Sequence, residues 1–128
     1  MIEKVLCIDD DQITLMLCSY TIKKAGFAEL IDTCEDAKKA LNYFENLKES
    51  EMKSPQLIFL DLNMPGMNGW EFLDVFNRDL RHYFPDTKVV ILTSSINPED
   101  KKKSESYQNI IKFIHKPLNT EHLEGLCT

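Results

Sequence analysis

Four apolar runs in this chain each end in a residue able to do chemistry. Val5-Leu6-Cys7-Ile8 leads into Asp9-Asp10-Asp11, and Leu57-Ile58-Phe59-Leu60 leads into Asp61. Val89-Val90-Ile91-Leu92 leads into Thr93, and the run from Ile110 to Ile114 passes through His115 to Lys116-Pro117. Carboxylates gathered at one point repel each other and demand a cation. A ligand set of oxygens favours a hard cation such as Mg²⁺. A carboxylate, a hard cation, a hydroxyl and an ammonium together suit a phosphoryl group.

The elements around these residues decide whether they can meet. A short run that is apolar throughout reads as a strand buried on both faces, the habit of a parallel sheet. If the strands are parallel, their polar ends lie along one edge. In open α/β sheets, chemistry gathers beyond the carboxyl ends of the strands. The edge would bring Asp9, Asp10, Thr93 and Lys116 toward Asp61.

Helical spacing fills the gaps between the strands. Ile13, Met16, Leu17 and Tyr20 recur as the stripe of a first helix, with Asp11 as its N-cap and Gly26 near its end. Ala37, Ala40, Leu41, Phe44 and Leu47 mark a second, and Leu73, Phe76 and Leu80 a third. Asn97-Pro98-Glu99-Asp100 opens a fourth with a cap, a first-turn proline and acids at the positive dipole end. Asn119 or Thr120 opens a short fifth. Ala28 to Thr33 carries Glu29 and Asp32, as an edge strand does, and the fifth strand is interrupted by Lys112. Five strands alternating with five helices predict a three-layer α/β/α sandwich. The apolar first, third and fourth strands belong in the centre. A flavodoxin-like five-stranded parallel sheet of order 2-1-3-4-5 satisfies that requirement.

Composition narrows the function. The 128 residues fit one domain, taken as 1–128, with 43% hydrophobic and 28% charged residues. A net charge of −6 argues against nucleic-acid binding, which needs a basic surface. Cys7, Cys18, Cys34 and Cys127 show no redox or zinc spacing and read as reduced thiols of a cytoplasmic protein. No apolar run approaches the roughly 20 residues of a membrane span, and no signal peptide is visible. His82, His115 and His122 form no metal spacing, and the glycines build no nucleotide-binding loop.

With these pieces in order, the chain resembles the receiver domain of two-component response regulators, including the single-domain chemotaxis type. The resemblance rests on Asp9-Asp10, Asp61, Met64-Pro65-Gly66 with Asn68-Gly69 behind it, Thr93-Ser94, and Lys116-Pro117. It implies a phosphorylation-dependent switch. Asp61 would be the phosphoacceptor, taking a phosphoryl group from a sensor histidine kinase or a histidine phosphotransfer protein. Mg²⁺ would be bound by Asp10, Asp61 and the backbone carbonyl of Asn63, with Asp9 acting through water. Lys116, before a cis proline bond, and Thr93 would contact the phosphoryl oxygens. Thr93 and Phe113 would form the switch pair, Phe113 replacing the tyrosine common there. Output would pass through the face of the fourth helix, fifth strand and fifth helix, to a partner or a second copy. Such a domain promotes its own phosphotransfer and slow dephosphorylation but turns over no external substrate. A constitutive adaptor on the same fold would not need the full set of acids, Thr93 and Lys116. An aspartyl phosphatase would carry a DxDx(T/V) signature, which Asp9-Asp10-Asp11-Gln12 does not supply.

Overall fold

The apolar runs become strands because β-branched and aromatic side chains fit a surface buried on both sides. The computed structural model describes residues 2–126. Its strands are β1 (Ile2–Ile8), β2 (Ala28–Cys34), β3 (Leu57–Leu60), β4 (Lys88–Thr93) and β5 (Ile110–His115). They form one parallel sheet in the order β2-β1-β3-β4-β5. The helices are α1 (Gln12–Lys24), α2 (Ala37–Leu47), α3 (Gly69–Asp79), α4 (Pro98–Ser104) and α5 (Thr120–Leu126). A single 3-10 turn, Arg81–Tyr83, follows α3. This is the flavodoxin-like three-layer fold expected from the sequence. No described helix is long and apolar enough to cross a membrane.

Alternate strand residues point to opposite faces and so build two cores. Leu6, Ile8, Ile58, Leu60, Val89 and Ile91 pack with α2 and α3. Val5, Cys7, Leu57, Phe59, Val90 and Leu92 pack with α1 and α5. Register then sets the site: Ile8 pairs with Leu60, and Leu60 with Ile91. Asp9 and Asp61, each one residue further on, therefore emerge side by side. Thr93 pairs with His115, so Lys116 emerges beside Thr93.

The helix starts follow local chemistry. Asp11 accepts from the Ile13 N–H at 2.9 Å, Asp36 from Lys39 at 2.7 Å, and Asn97 from Glu99 at 3.0 Å. Asn68 and Glu71 form a capping box at α3.

One stripe is turned from the expected face. α1 forms where the spacing placed it, but Leu15, Cys18 and Ile22 are its buried residues. Ile13, Met16, Leu17 and Tyr20 are exposed at 64%, 63%, 53% and 62%. The helix is apolar on two sides, so periodicity alone could not tell which side meets the sheet.

α4 is held differently from the other helices. α3 buries Trp70, Phe72, Leu73 and Phe76, each contributing about 1.5–3 kcal/mol of burial. α4 buries only Ser104. Hydrophobic burial does little to fix its position.

Candidate functional site

Asp61 stands at the carboxyl end of the central strand, and its N–H donates to the Ile8 carbonyl at 3.0 Å. Asp61 and Asp9 are both buried, and Asp10 is exposed. One carboxylate oxygen from each of the three lies within 4.8 Å of the others. The Lys116 ammonium is 2.7 Å from Asp9 Oδ2 and 3.6 Å from Asp61 Oδ2. The peptide bond between Lys116 and Pro117 is cis. The lysine therefore bridges both buried acids but sits closer to Asp9 than to Asp61.

The three consecutive acids do three different things. Asp9 is buried, pairs with Lys116, and accepts from the Asp11 N–H at 2.9 Å. Asp10 projects into solvent beside the cluster. Asp11 caps α1 and also accepts from the Thr14 hydroxyl at 3.2 Å.

Among the described residues, Asp61 Oδ1 is buried with no hydrogen-bond partner. A buried carboxylate oxygen without a donor is costly. Burial pushes the Asp61 carboxyl above the usual carboxylate range, and the Asp9 charge adds to the rise, while Lys116, the Asn63 N–H and the Thr93 hydroxyl oppose it. Burial also works against the Lys116 ammonium. Its hydrogen bond to Asp9 and the Asp61 and Asp9 charges outweigh that, so its pKa rises. The pocket gathers three carboxylates around one lysine, so a further cation fits its charge and its orphaned oxygen. Asp10 and Asp61 could hold such a hard ion, with Asp9 close by.

Two loops complete the edge. The loop after β3 carries exposed Asn63 and turns at Gly66, whose φ of 78° is open to glycine without penalty. It ends at Gly69, whose N–H donates to the Leu62 carbonyl at 3.0 Å. Thr93 ends β4, is buried, and accepts from the Ser95 N–H at 3.2 Å. The Lys116 N–H donates to the Thr93 carbonyl at 3.0 Å. Phe113 is half-buried against the α2–α3 core and pairs with Ile91, two residues before Thr93.

The structure thus brings Asp9, Asp10, Asp61 and Lys116 into one pocket, with Thr93 at its rim and Phe113 one strand away. Sequence reasoning missed two participants. Trp70, expected only to pack near the surface, is buried and donates from Nε1 to Asp100 Oδ1 at 3.1 Å. Asp100, read only as an acid at a helix start, also accepts from the Ser95 hydroxyl at 2.5 Å. No spacing rule pairs positions thirty residues apart.

Comparison with known proteins agrees with this geometry. The sequence model of the response regulator receiver domain matches residues 5–127. The crystal structure of a two-component response regulator from Cytophaga hutchinsonii superposes with a TM-score of 0.91 at 33% identity, covering 98% of this chain and 93% of that one. A probable methanogenesis regulatory protein, FilR2 of Methanothrix harundinacea, is 28% identical over 94% of this chain. Hybrid signal transduction histidine kinase C of Dictyostelium discoideum is also 28% identical over 94%. The chain spans 76% of the first of these two relatives but 10% of the second. It belongs to the response regulator receiver domain family of two-component signalling.

Proposed function

We propose that residues 1–128 work as a Mg²⁺-dependent phosphoacceptor switch, with Asp61 receiving the phosphoryl group. The observation that carries this reading is the buried Asp61 carboxylate at the central strand end, clustered with two acids, its Oδ2 3.6 Å from the Lys116 ammonium and its Oδ1 without a hydrogen-bond partner among the described residues. An oxygen of the Asp61 carboxylate attacks phosphorus. The bond from phosphorus to the donor's imidazole nitrogen breaks, its electron pair stays on that nitrogen, and an acyl phosphate forms. Lys116 and the Thr93 hydroxyl supply positive charge and a donor for the phosphoryl oxygens. Asp10, Asp61 and the Asn63 carbonyl, with Asp9 through water, would hold Mg²⁺, which would supply neutralising charge to those oxygens.

The donor is a sensor histidine kinase or a histidine phosphotransfer protein. Support comes from the histidine kinases among the relatives, matched over about a tenth of their length. The domain is not a turnover enzyme, and it works in the cytoplasm. It passes its state on through α4, β5 and α5. Phosphorylation adds charge beside Thr93. Thr93 moves toward it, and Phe113 turns into the space vacated. A ligand favouring one of two positions shifts the population between them.

Two expected outcomes test this. Asp10→Ala weakens Mg²⁺ binding by about tenfold or more, read by calorimetry; equal affinity would remove Asp10 from the metal site. Adding Mg²⁺ and beryllofluoride shifts backbone amide resonances over residues 97–115 as well as in the acidic pocket. Shifts confined to the pocket would mean that the output face lies elsewhere.

A further inference from the structure

α4 is the least anchored helix of the fold. It buries no large apolar side chain, and its exposed face is the run Lys101-Lys102-Lys103. What attaches its first turn is a chain of polar contacts. Asp100 lies in that turn, and both its oxygens are used. Oδ2 accepts from the Ser95 hydroxyl at 2.5 Å and Oδ1 from the Trp70 indole at 3.1 Å. Ser95 Oγ also accepts from the Asn97 N–H at 3.2 Å, and the Ser95 N–H donates to Thr93 Oγ1 at 3.2 Å.

Trp70 is a firm post for this chain. It belongs to α3, next to Gly69, and is part of the α2–α3 core. Its ring lies 5.3 Å from that of Tyr107 and 4.8 Å from the Lys103 ammonium. The Tyr107 hydroxyl donates to Asp74 Oδ1 on α3 at 2.8 Å. The path from Thr93 through Ser95 and Asp100 to Trp70 therefore runs from the rim of the acidic pocket to a rigid helix.

We propose that Asp100 and Trp70 are positioning residues of the phosphoacceptor site, holding Ser95 and through it Thr93 in the resting position. The proposal rests on the reading of Asp61 as phosphoacceptor and Thr93 as the moving hydroxyl. The physical reason is restraint of the loop. Thr93 Oγ1 accepts from the Ser95 N–H and keeps its own proton free to donate, so what opposes its approach to a phosphoryl oxygen is the anchoring of Ser95 by Asp100. A domain held in a resting state binds a phosphoryl analogue more weakly, in proportion to the population of its competent state. Loosening the latch should therefore tighten analogue binding without touching the metal ligands.

Trp70→Phe is the first test, because it keeps an aromatic ring in the core and removes the indole donor, at the cost of some of the ring surface that meets Tyr107 and Lys103. Asp100→Ala is the second variant and removes both acceptors. Beryllofluoride, titrated at saturating Mg²⁺, should bind each variant about threefold to tenfold more tightly than the unaltered protein. Mg²⁺ affinity alone should stay unchanged. Amide hydrogen exchange without ligands should quicken over residues 96–104 in both variants and stay the same in β1 and β3. Unchanged or weaker analogue binding in both folded variants would overturn the proposal, as would unaltered exchange over α4. If the unaltered protein bound no beryllofluoride, the phosphoacceptor reading would fail instead. Faster α4 exchange in the variants would then still show that the indole and the carboxylate hold this loop.

Discussion

Asp61→Asn should abolish labelling by a small phosphodonor such as acetyl phosphate and, without Mg²⁺, make the fold more stable. The first effect follows from chemistry. An amide is no nucleophile for phosphorus under these conditions, and Asp9, the other buried acid, is paired with Lys116 at 2.7 Å. Undiminished labelling would move the acceptor elsewhere. The second effect follows from burial. The folded protein holds the Asp61 carboxyl above its ordinary value, chiefly through burial and then through the Asp9 charge. Between the ordinary and the raised value, the folded state keeps a proton that the unfolded state has lost. Stability therefore falls as pH rises through that window and levels off above it. The asparagine variant lacks this fall, so its advantage should appear at neutral pH and shrink as pH drops below the ordinary carboxylate range. Mg²⁺ should also narrow the gap by offsetting the charge in the unaltered protein. Urea midpoints at several pH values, with and without Mg²⁺, measure this directly. A less stable asparagine variant at neutral pH would contradict the electrostatic account.

Gly69→Ala should be among the most damaging single-methyl changes in the chain. A Cβ there would lie 2.4 Å from the Asp61 carbonyl oxygen and 2.9 Å from Leu62 Cα. Both are backbone atoms, so neither can swing aside. The helix or the acceptor loop must shift, at a cost of about 1–3 kcal/mol. Gly125 provides the contrast. Its Cβ would meet only the Lys112 ammonium, at 3.8 Å. Gly125→Ala should leave the fold unharmed or stabilise it by up to about 1 kcal/mol, through better helix propensity. Urea denaturation separates the two. The Gly69 variant that does fold should also bind Mg²⁺ more weakly, because the displaced backbone carries both Asp61 and Asn63. Equal stability of the two alanine variants would mean that α3 has more room than the structure gives it.

Much of this was legible in the sequence because the signals were local. The capping residues Asp11 and Asn97, the apolar strands and the polar residues at their ends lie close to what they control. The sheet order followed from which strands carried charge. The side of α1 was not legible. Ile13 and Leu17 are as apolar as Leu15 and Ile22, and only packing against Val5, Phe59 and Leu92 chooses between them. The partition of the acids was half legible: Asp11 was read as a cap, but the closer pairing of Lys116 with Asp9 depends on side-chain geometry. The Trp70–Asp100–Ser95 contacts were illegible for another reason. They join separate helices through single hydrogen bonds, which leave no period or spacing behind.

The outward stripe on α1 has a consequence for how variants of this protein can be sorted. Ile13, Met16, Leu17 and Tyr20 each keep more than half of their surface in water in the folded chain. Polar replacements there leave folding free energy nearly untouched, within the roughly 0.5 kcal/mol usual for surface changes. Replacements at Leu15, Cys18 and Ile22, on the same helix, do the opposite and lower the amount of folded protein. In a genetic screen the two sets separate cleanly. Alleles of the inner set act through abundance, whereas alleles of the outer set leave abundance normal. One helix of thirteen residues thus has a side that governs stability and a side that stability does not read.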